Sequence, residues 1–325
     1  MKKHIKKCIK ILIFCVLCLG IFSACGAEIE EKPKGGLNVV TVGFPQYDLA
    51  RAVCKNTANI KMLIRPGAGI HSFEPSLSDI VAIEEADVFI YNGGESDAWA
   101  ERILLSLKNK DIKIISLMDT EGIKLYDEMS IVYGHYCGEN HTQSHNHNSH
   151  SYDEHIWTSP KNTIILTKEL SKVFCKLNPS MAKEYEKNAN EYVGKLKKLD
   201  LELEDISQKS AHKLIAVADR FPFLYLAKDY GLEYMSLFSG CSPEGDAGPS
   251  LMAEMIEEMK NHSIDCVFHI ELSNQKMADV IARNTGSKKL LLHSCQNVSA
   301  AEFESGISYV DIMEQNIKNL KEALL

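Results

Sequence analysis

Between residues 181 and 206, apolar side chains recur at Met181, Tyr185, Ala189, Tyr192, Leu196, Leu199, Leu203 and Ile206. The steps are 4, 4, 3, 4, 3, 4 and 3, which keep one face of a helix apolar for about seven turns. Asn178-Pro179-Ser180 supplies a start signal. A helix this long, with a single stripe, must lie against something along its whole length. A coiled-coil arm would satisfy the stripe. The segments on either side offer a better partner, because each reads as an α/β unit, so residues 179–210 are expected to be a rigid helix linking two lobes.

In the first unit, Leu37–Gly43, Ile60–Arg65, Asp87–Tyr91 and Ile112–Ser116 are strand-like. Helical spacing falls at Asp48–Thr57, Ser76–Ala86 and Ala98–Lys108. In the second unit, strands are expected at Lys213–Ala218, Glu233–Phe238, Cys266–Ile270 and Lys289–His293. Helices are expected there at Phe223–Tyr230, Pro249–Lys260, Gln275–Asn284 and Tyr309–Leu324. Strands alternating with helices predict parallel sheets covered on both faces. The expected fold is therefore α/β: an N-terminal lobe over 37–178, the linking helix, and a C-terminal lobe over 211–325. Ligands of such folds bind where the strands end, so the cleft between two lobes is the expected site.

The first 25 residues read as an address and are set aside from the fold. Lys2, Lys3, Lys6, Lys7 and Lys10 precede an apolar run of 14 residues, Ile11–Ala24. That run is short for a permanent membrane span. Phe22-Ser23-Ala24-Cys25-Gly26 resembles a bacterial lipobox, which would make Cys25 the lipidated N-terminus; a plain secretory signal cut near Ala24 is the alternative. Residues 26–36 are polar with Gly and Pro, as in a flexible tether. The whole chain has 36 basic and 44 acidic residues. Loss of the five leader lysines leaves 31 basic residues, a net charge of −13. Such an anionic body excludes nucleic acid as the main partner. It suits a monomer anchored on the outer side of the cell membrane by its lipid. Six cysteines remain beyond Cys25: Cys54, Cys137, Cys175, Cys241, Cys266 and Cys295. None forms a CxxC pair, so a zinc ribbon or thioredoxin-type site is not expected.

The chain has 12 histidines, and half of them lie within residues 135–155: His135, His141, His145, His147, His150 and His155. Their neighbours are Asn, Ser and Gln, from which no core can be built. The stretch reads as a polar loop whose imidazoles capture metal. Two further patterns stand near expected strand ends. Gly69-Ile70-His71-Ser72-Phe73-Glu74-Pro75 places a histidine on a turn flanked by Pro66 and Pro75. Asp153-Glu154-His155-Ile156-Trp157 places another just before Ser159-Pro160-Lys161, a helix start. Neutral imidazole suits zinc and other divalent transition metals. Asp153 and Glu154 are both placed to accept the other ring N–H of His155.

Together these segments resemble the solute-binding proteins of zinc and manganese ABC importers. The resemblance rests on His71-Ser72-Phe73-Glu74-Pro75, on Asn92-Gly93 after a strand, and on His155-Ile156-Trp157 with Pro160-Lys161-Asn162. Tyr230-Gly231-Leu232, Ser242-Pro243-Glu244, Pro249-Ser250 and Glu271 continue it in order, over about residues 38–325. It implies two lobes clamping one metal ion, little hinge motion, and delivery to a membrane permease. The histidine-rich loop points, through the same resemblance, to zinc rather than manganese. Such a protein is a carrier and not an enzyme. An adhesive role on the same fold is left open.

The resemblance breaks at one place. The family's third histidine would stand ten residues before Tyr230, where this chain has Arg220. A guanidinium has no lone pair to donate. The second lobe must therefore use His293, at the end of Leu290-Leu291-Leu292, or Cys241, with Glu244 and Asp219 as further candidates. Cys295 could instead pair with Cys241. Arg220 is expected to neutralise an acid near the cleft, with Asp219 beside it. His269, His212 and His262 read as packed or exposed rather than liganding. The competing readings are a manganese carrier of the same family and a zinc-dependent hydrolase. The hydrolase lacks support: the sequence contains no His-Glu-x-x-His and no Gly-x-Ser-x-Gly.

Overall fold

A computed structural model describes residues 36–69, 73–127, 152–238 and 249–325. Cys25, His71, the histidines at 135–150, Cys241 and Glu244 lie outside the described residues. The N-terminal sheet is built from β1 (Leu37–Thr41), β2 (Ala58–Met62), β3 (Val88–Tyr91) and β4 (Lys113–Ser116). Its strand order is β2-β1-β3-β4, with every pairing parallel. The C-terminal sheet repeats this arrangement with β5 (Leu214–Val217), β6 (Glu233–Ser236), β7 (Cys266–His269) and β8 (Lys288–Leu291), in the order β6-β5-β7-β8.

Each sheet turns one set of side chains inward and the alternate set outward. Val39, Val88 and Ile90 enter a central core with α1 (Phe44–Cys54), whereas Val40, Phe89 and Tyr91 pack under α2 (Leu77–Glu84) and α3 (Ala98–Ser106). In the second lobe, Ile215, Val217 and Phe268 face the central core with α6 (Leu224–Tyr230). There Leu214, Ala216 and Val267 face outward, beneath α7 (Pro249–Asn261) and α8 (Lys276–Thr285). The strand order runs outward on both sides of β1 and β5, and under the right-handed rule for parallel crossovers that order puts helices on opposite faces.

The linking helix is α5 (Ala182–Lys209, 28 residues), entered through a 3-10 turn at Pro179–Met181. Seven of the eight stripe positions are buried, and Met181 is packed at the rim of the core. Helices α4 (Pro160–Leu177) and α10 (Tyr309–Leu324) pack on the same stripe, so one apolar cluster runs from the first sheet to the second. The lobes share this central core, and each adds an outer cluster of its own beneath the helices on its far face. Rotation of one lobe against the other would therefore expose apolar surface, which is unfavourable at roughly 25 cal/mol per Å².

Several element ends differ from the sequence expectation for physical reasons. α1 begins at Phe44 instead of Asp48, because Pro45 occupies its first turn, where a missing N–H costs nothing. The second strand starts at Ala58, earlier than Ile60. Leu63 and Ile64 still donate to the carbonyls of Thr41 and Val42 beyond its formal end. A short helix, α9 (Ala300–Glu304), was not expected; Ser299 and Glu302 cap it reciprocally. No described helix is long and apolar enough to cross a membrane.

Candidate metal centre

His155 sits between the lobes and is 1% exposed. Its backbone N–H donates to Asp153 Oδ1 (2.9 Å), and its Nδ1 lies 3.4 Å from Asp153 Oδ2. A carboxylate only accepts, so Asp153 favours the tautomer with the proton on Nδ1. Nε2 then carries the lone pair that a metal requires. Asp153 is held in turn from the second lobe, because Tyr225 on α6 donates its hydroxyl to the Asp153 carbonyl (2.8 Å). A 3-10 turn, Ile156–Thr158, follows, and Ser159 caps α4 while donating its hydroxyl to Asp229.

Glu154 is engaged on the neighbouring loop: its carboxylate accepts the Ser96 N–H (2.8 Å). The physical reason is the turn at Asn92-Gly93-Gly94. Gly94 has φ 82°, and a Cβ there would lie 2.7 Å from Glu154 Cγ, so only glycine lets the side chain pass. Asn92 adds a second tie by donating Nδ2–H to the Glu154 carbonyl (2.8 Å).

Beneath this turn, Asp97 is 3% exposed and accepts the N–H groups of Asn92 (2.7 Å) and Gly93 (3.3 Å). Burial outweighs these bonds and pushes its pKa up to about 6. An acid that holds its proton more tightly when folded adds stability as the pH falls through about 6 toward the ordinary carboxylate value. At neutral pH its ionisation costs on the order of 3 kcal/mol. Metal-free protein should therefore lose less stability between pH 7 and pH 5 than Asp97→Asn does. Urea unfolding of both proteins at the two pH values measures this, and equal pH dependence would contradict it.

His293 follows β8 and is 4% exposed. Asn316 on α10 grips its backbone: His293 N–H donates to Asn316 Oδ1 (2.8 Å), and Asn316 Nδ2–H donates to the His293 carbonyl (2.8 Å). The next carbonyl, Ser294, accepts Trp157 Nε1–H (2.8 Å), two residues past His155. Farther along, Asn297 Nδ2 donates to the carbonyls of Arg65 (2.9 Å) and Ala68 (2.7 Å), and Gly67 N–H donates to the Val298 carbonyl (2.7 Å). The loop after β8 thus holds the His155 segment and one flank of the His71 loop. The other flank, Phe73, packs edge-on to Trp99.

The remaining expected residues are placed as follows. Asp219 lies two residues past β5, and its carboxylate accepts the Ile270 N–H (3.2 Å) and the Ser273 hydroxyl (3.0 Å). Among the described residues Arg220 makes no ion pair with it, so the expected neutralisation is replaced by these neutral donors. His269 closes β7 and donates Nδ1–H to the Ile270 carbonyl (3.0 Å). His262 lies 3.2 Å from Glu258 on α7, and His212 is half-buried ahead of β5. Cys295 is a free, fully buried thiol whose pKa burial drives well above its ordinary value. Among the described residues no three His, Cys, Asp or Glu side chains come together as a metal-binding group. Asn316, Asn297 and Ser294 had no signal in the sequence, since each acts on partners far along the chain.

Comparison with known proteins identifies the family. A family model described as zinc-uptake complex component A, periplasmic, matches residues 39–323. The zinc-binding lipoprotein AdcA of Streptococcus pneumoniae R6 is 30% identical over 316 residues, which is 96% of this chain and 60% of that protein. The chain therefore spans about three-fifths of that relative. The high-affinity zinc uptake system protein ZnuA of Bacillus subtilis 168 is 29% identical, with 95% of each chain covered. The crystal structure of the Zn(II)-bound ZnuA-like domain of pneumococcal AdcA superposes with a TM-score of 0.73 at 28% identity, covering 89% of this chain and 99% of that domain.

Proposed function

The chain belongs to the family of zinc-uptake complex component A periplasmic proteins, and from that premise we propose that it captures zinc outside the cytoplasm and hands it to the membrane permease of an ABC importer. The observation that carries this reading is the convergence at the cleft. A buried histidine with a carboxylate on its Nδ1, and one flank of the His71 loop, are both fastened to the loop after β8. His71 and His155 supply the nitrogen donors of the first lobe. The second lobe supplies the remaining donor, for which the sequence offers His293, Cys241, Glu244 and Asp219. Cys25 carries the lipid that anchors a monomer to the membrane. His135, His141, His145, His147 and His150 gather metal for the cleft without forming part of the tight site.

Imidazole donors favour zinc over manganese, which takes more oxygen. A carrier also differs from a zinc hydrolase in closing its metal with protein groups, where a catalytic site keeps one position open. The test is competition: purified protein dialysed against equal zinc and manganese should retain one equivalent of zinc. Retention of manganese in preference would move the chain to the manganese carriers, and retention of neither would refute the reading.

A further inference from the structure

His293 spends the lone pair that ligation through Nδ1 would need, and its proton sits where ligation through Nε2 would need a lone pair. The backbone N–H of Cys295 donates to His293 Nδ1 at 2.9 Å. Such a donor must meet a lone pair, so Nδ1 is unprotonated and the neutral ring carries its hydrogen on Nε2. Glu271 does not reverse this. Its Oε2 is 3.6 Å from Nδ1, beyond a hydrogen bond. Oε2 also accepts the Ser294 N–H (2.7 Å), and Oε1 accepts the Ser294 hydroxyl. Nε2 is buried and has no hydrogen-bond partner among the described residues.

The bond from residue 295 back to the side chain of residue 293 is the closure that Asn and Asp make in Asx-turns. It holds Cys295 at φ 61°, a left-handed conformation that a non-glycine residue keeps only when its surroundings fix it. The same peptide unit carries the Ser294 carbonyl that accepts Trp157 Nε1–H. Gln296 N–H then donates to Ser294 Oγ (3.2 Å), which leads the chain to Asn297 and its grip on residues 65 and 68. We propose that His293 is a positioning residue and not a metal donor: its Nδ1 closes the 293–295 turn, and that turn sets the loop on which both first-lobe histidine segments hang. The second lobe's metal donor is then another side chain. This inference rests on the zinc-capture reading.

Two substitutions separate the roles. Asn at 293 keeps an acceptor where Nδ1 stood and removes Nε2, whereas Gln puts its amide where Nε2 stood and removes the acceptor at Nδ1. His293→Asn should leave zinc affinity within about twofold of wild type, the scatter expected when no contact to the metal is lost. His293→Gln should weaken it by about tenfold or more, the scale on which supporting groups act. Hydrogen exchange at the Cys295 amide should stay slow in the Asn protein and become fast in the Gln protein. The 15N spectrum of zinc-loaded wild type should show His293 protonated on Nε2 and bare on Nδ1. A tenfold or greater loss in His293→Asn with the Cys295 amide still protected, or an unprotonated, zinc-shifted Nε2, would overturn the inference. Wild-type protein that holds no zinc would overturn the functional reading itself, and that shows before any variant is compared.

Discussion

Replacing Asp48 with alanine should destabilise the metal-free protein by about 3 kcal/mol, the scale for stripping a buried charge from its hydrogen-bonded partners. Asp48 lies on α1 and is 1% exposed. It accepts the Tyr192 hydroxyl from α5 (2.7 Å) and the Tyr309 N–H at the start of α10 (3.0 Å), and it pairs with Arg51. Arg51 also donates to the Ile307 carbonyl (2.6 Å). One carboxylate therefore joins the first lobe, the linking helix and the last helix of the second lobe. Alanine leaves the Tyr192 hydroxyl and Tyr309 N–H without that acceptor in the core. Asparagine keeps one acceptor and should cost less. Urea unfolding measures both, and a loss below about 1 kcal/mol for alanine would show that the ordinary price of a lost hydrogen bond is all that Asp48 represents.

Removing His155 should have the largest effect on metal. His155→Ala deletes a buried imidazole held by Asp153. Asp153→Asn leaves the imidazole but takes away the negative charge that orients it and raises its basicity. Changes to such supporting carboxylates lower metal affinity by about 10- to 100-fold. Asp153→Asn should fall in that range, and His155→Ala should lose at least as much. Competition against a chromophoric zinc chelator gives both affinities. If Asp153→Asn matches wild type while His155→Ala does not, the imidazole is held by the surrounding packing and the carboxylate is dispensable. If both match wild type, the cleft site is absent.

The long helix was legible because its stripe has a strict period and every step reports the same buried face. Strands β3 and β7 were legible for a similar reason: Val88–Tyr91 and Cys266–His269 are short apolar runs bounded by polar residues. The start of α1 was misplaced, although Pro45 announces it, since proline in a first turn is a weaker mark than an apolar period. The helix at 300–304 was missed because five residues have no period to read; its Ser299 and Glu302 cap was the available signal. The Asp153 carboxylate beside the His155 ring was legible because the two residues are only two apart. The Cys295 N–H on His293 Nδ1 was not, since sequence spacing says nothing about which ring nitrogen a backbone donor meets. The ties from Trp157 to Ser294 and from Asn297 to Arg65 span 137 and 232 residues, so no local pattern encodes them.

Zinc held between the lobes by nitrogen donors that include His155 must show them in its ligand shell. Zinc-edge X-ray absorption on the singly loaded protein, repeated on His155→Ala, tests this directly. The expected shell is four-coordinate and contains imidazole nitrogens at about 2.0–2.1 Å, with one imidazole fewer or the tight zinc gone in His155→Ala. A shell of oxygens alone, or an unchanged imidazole count in the variant, would contradict it.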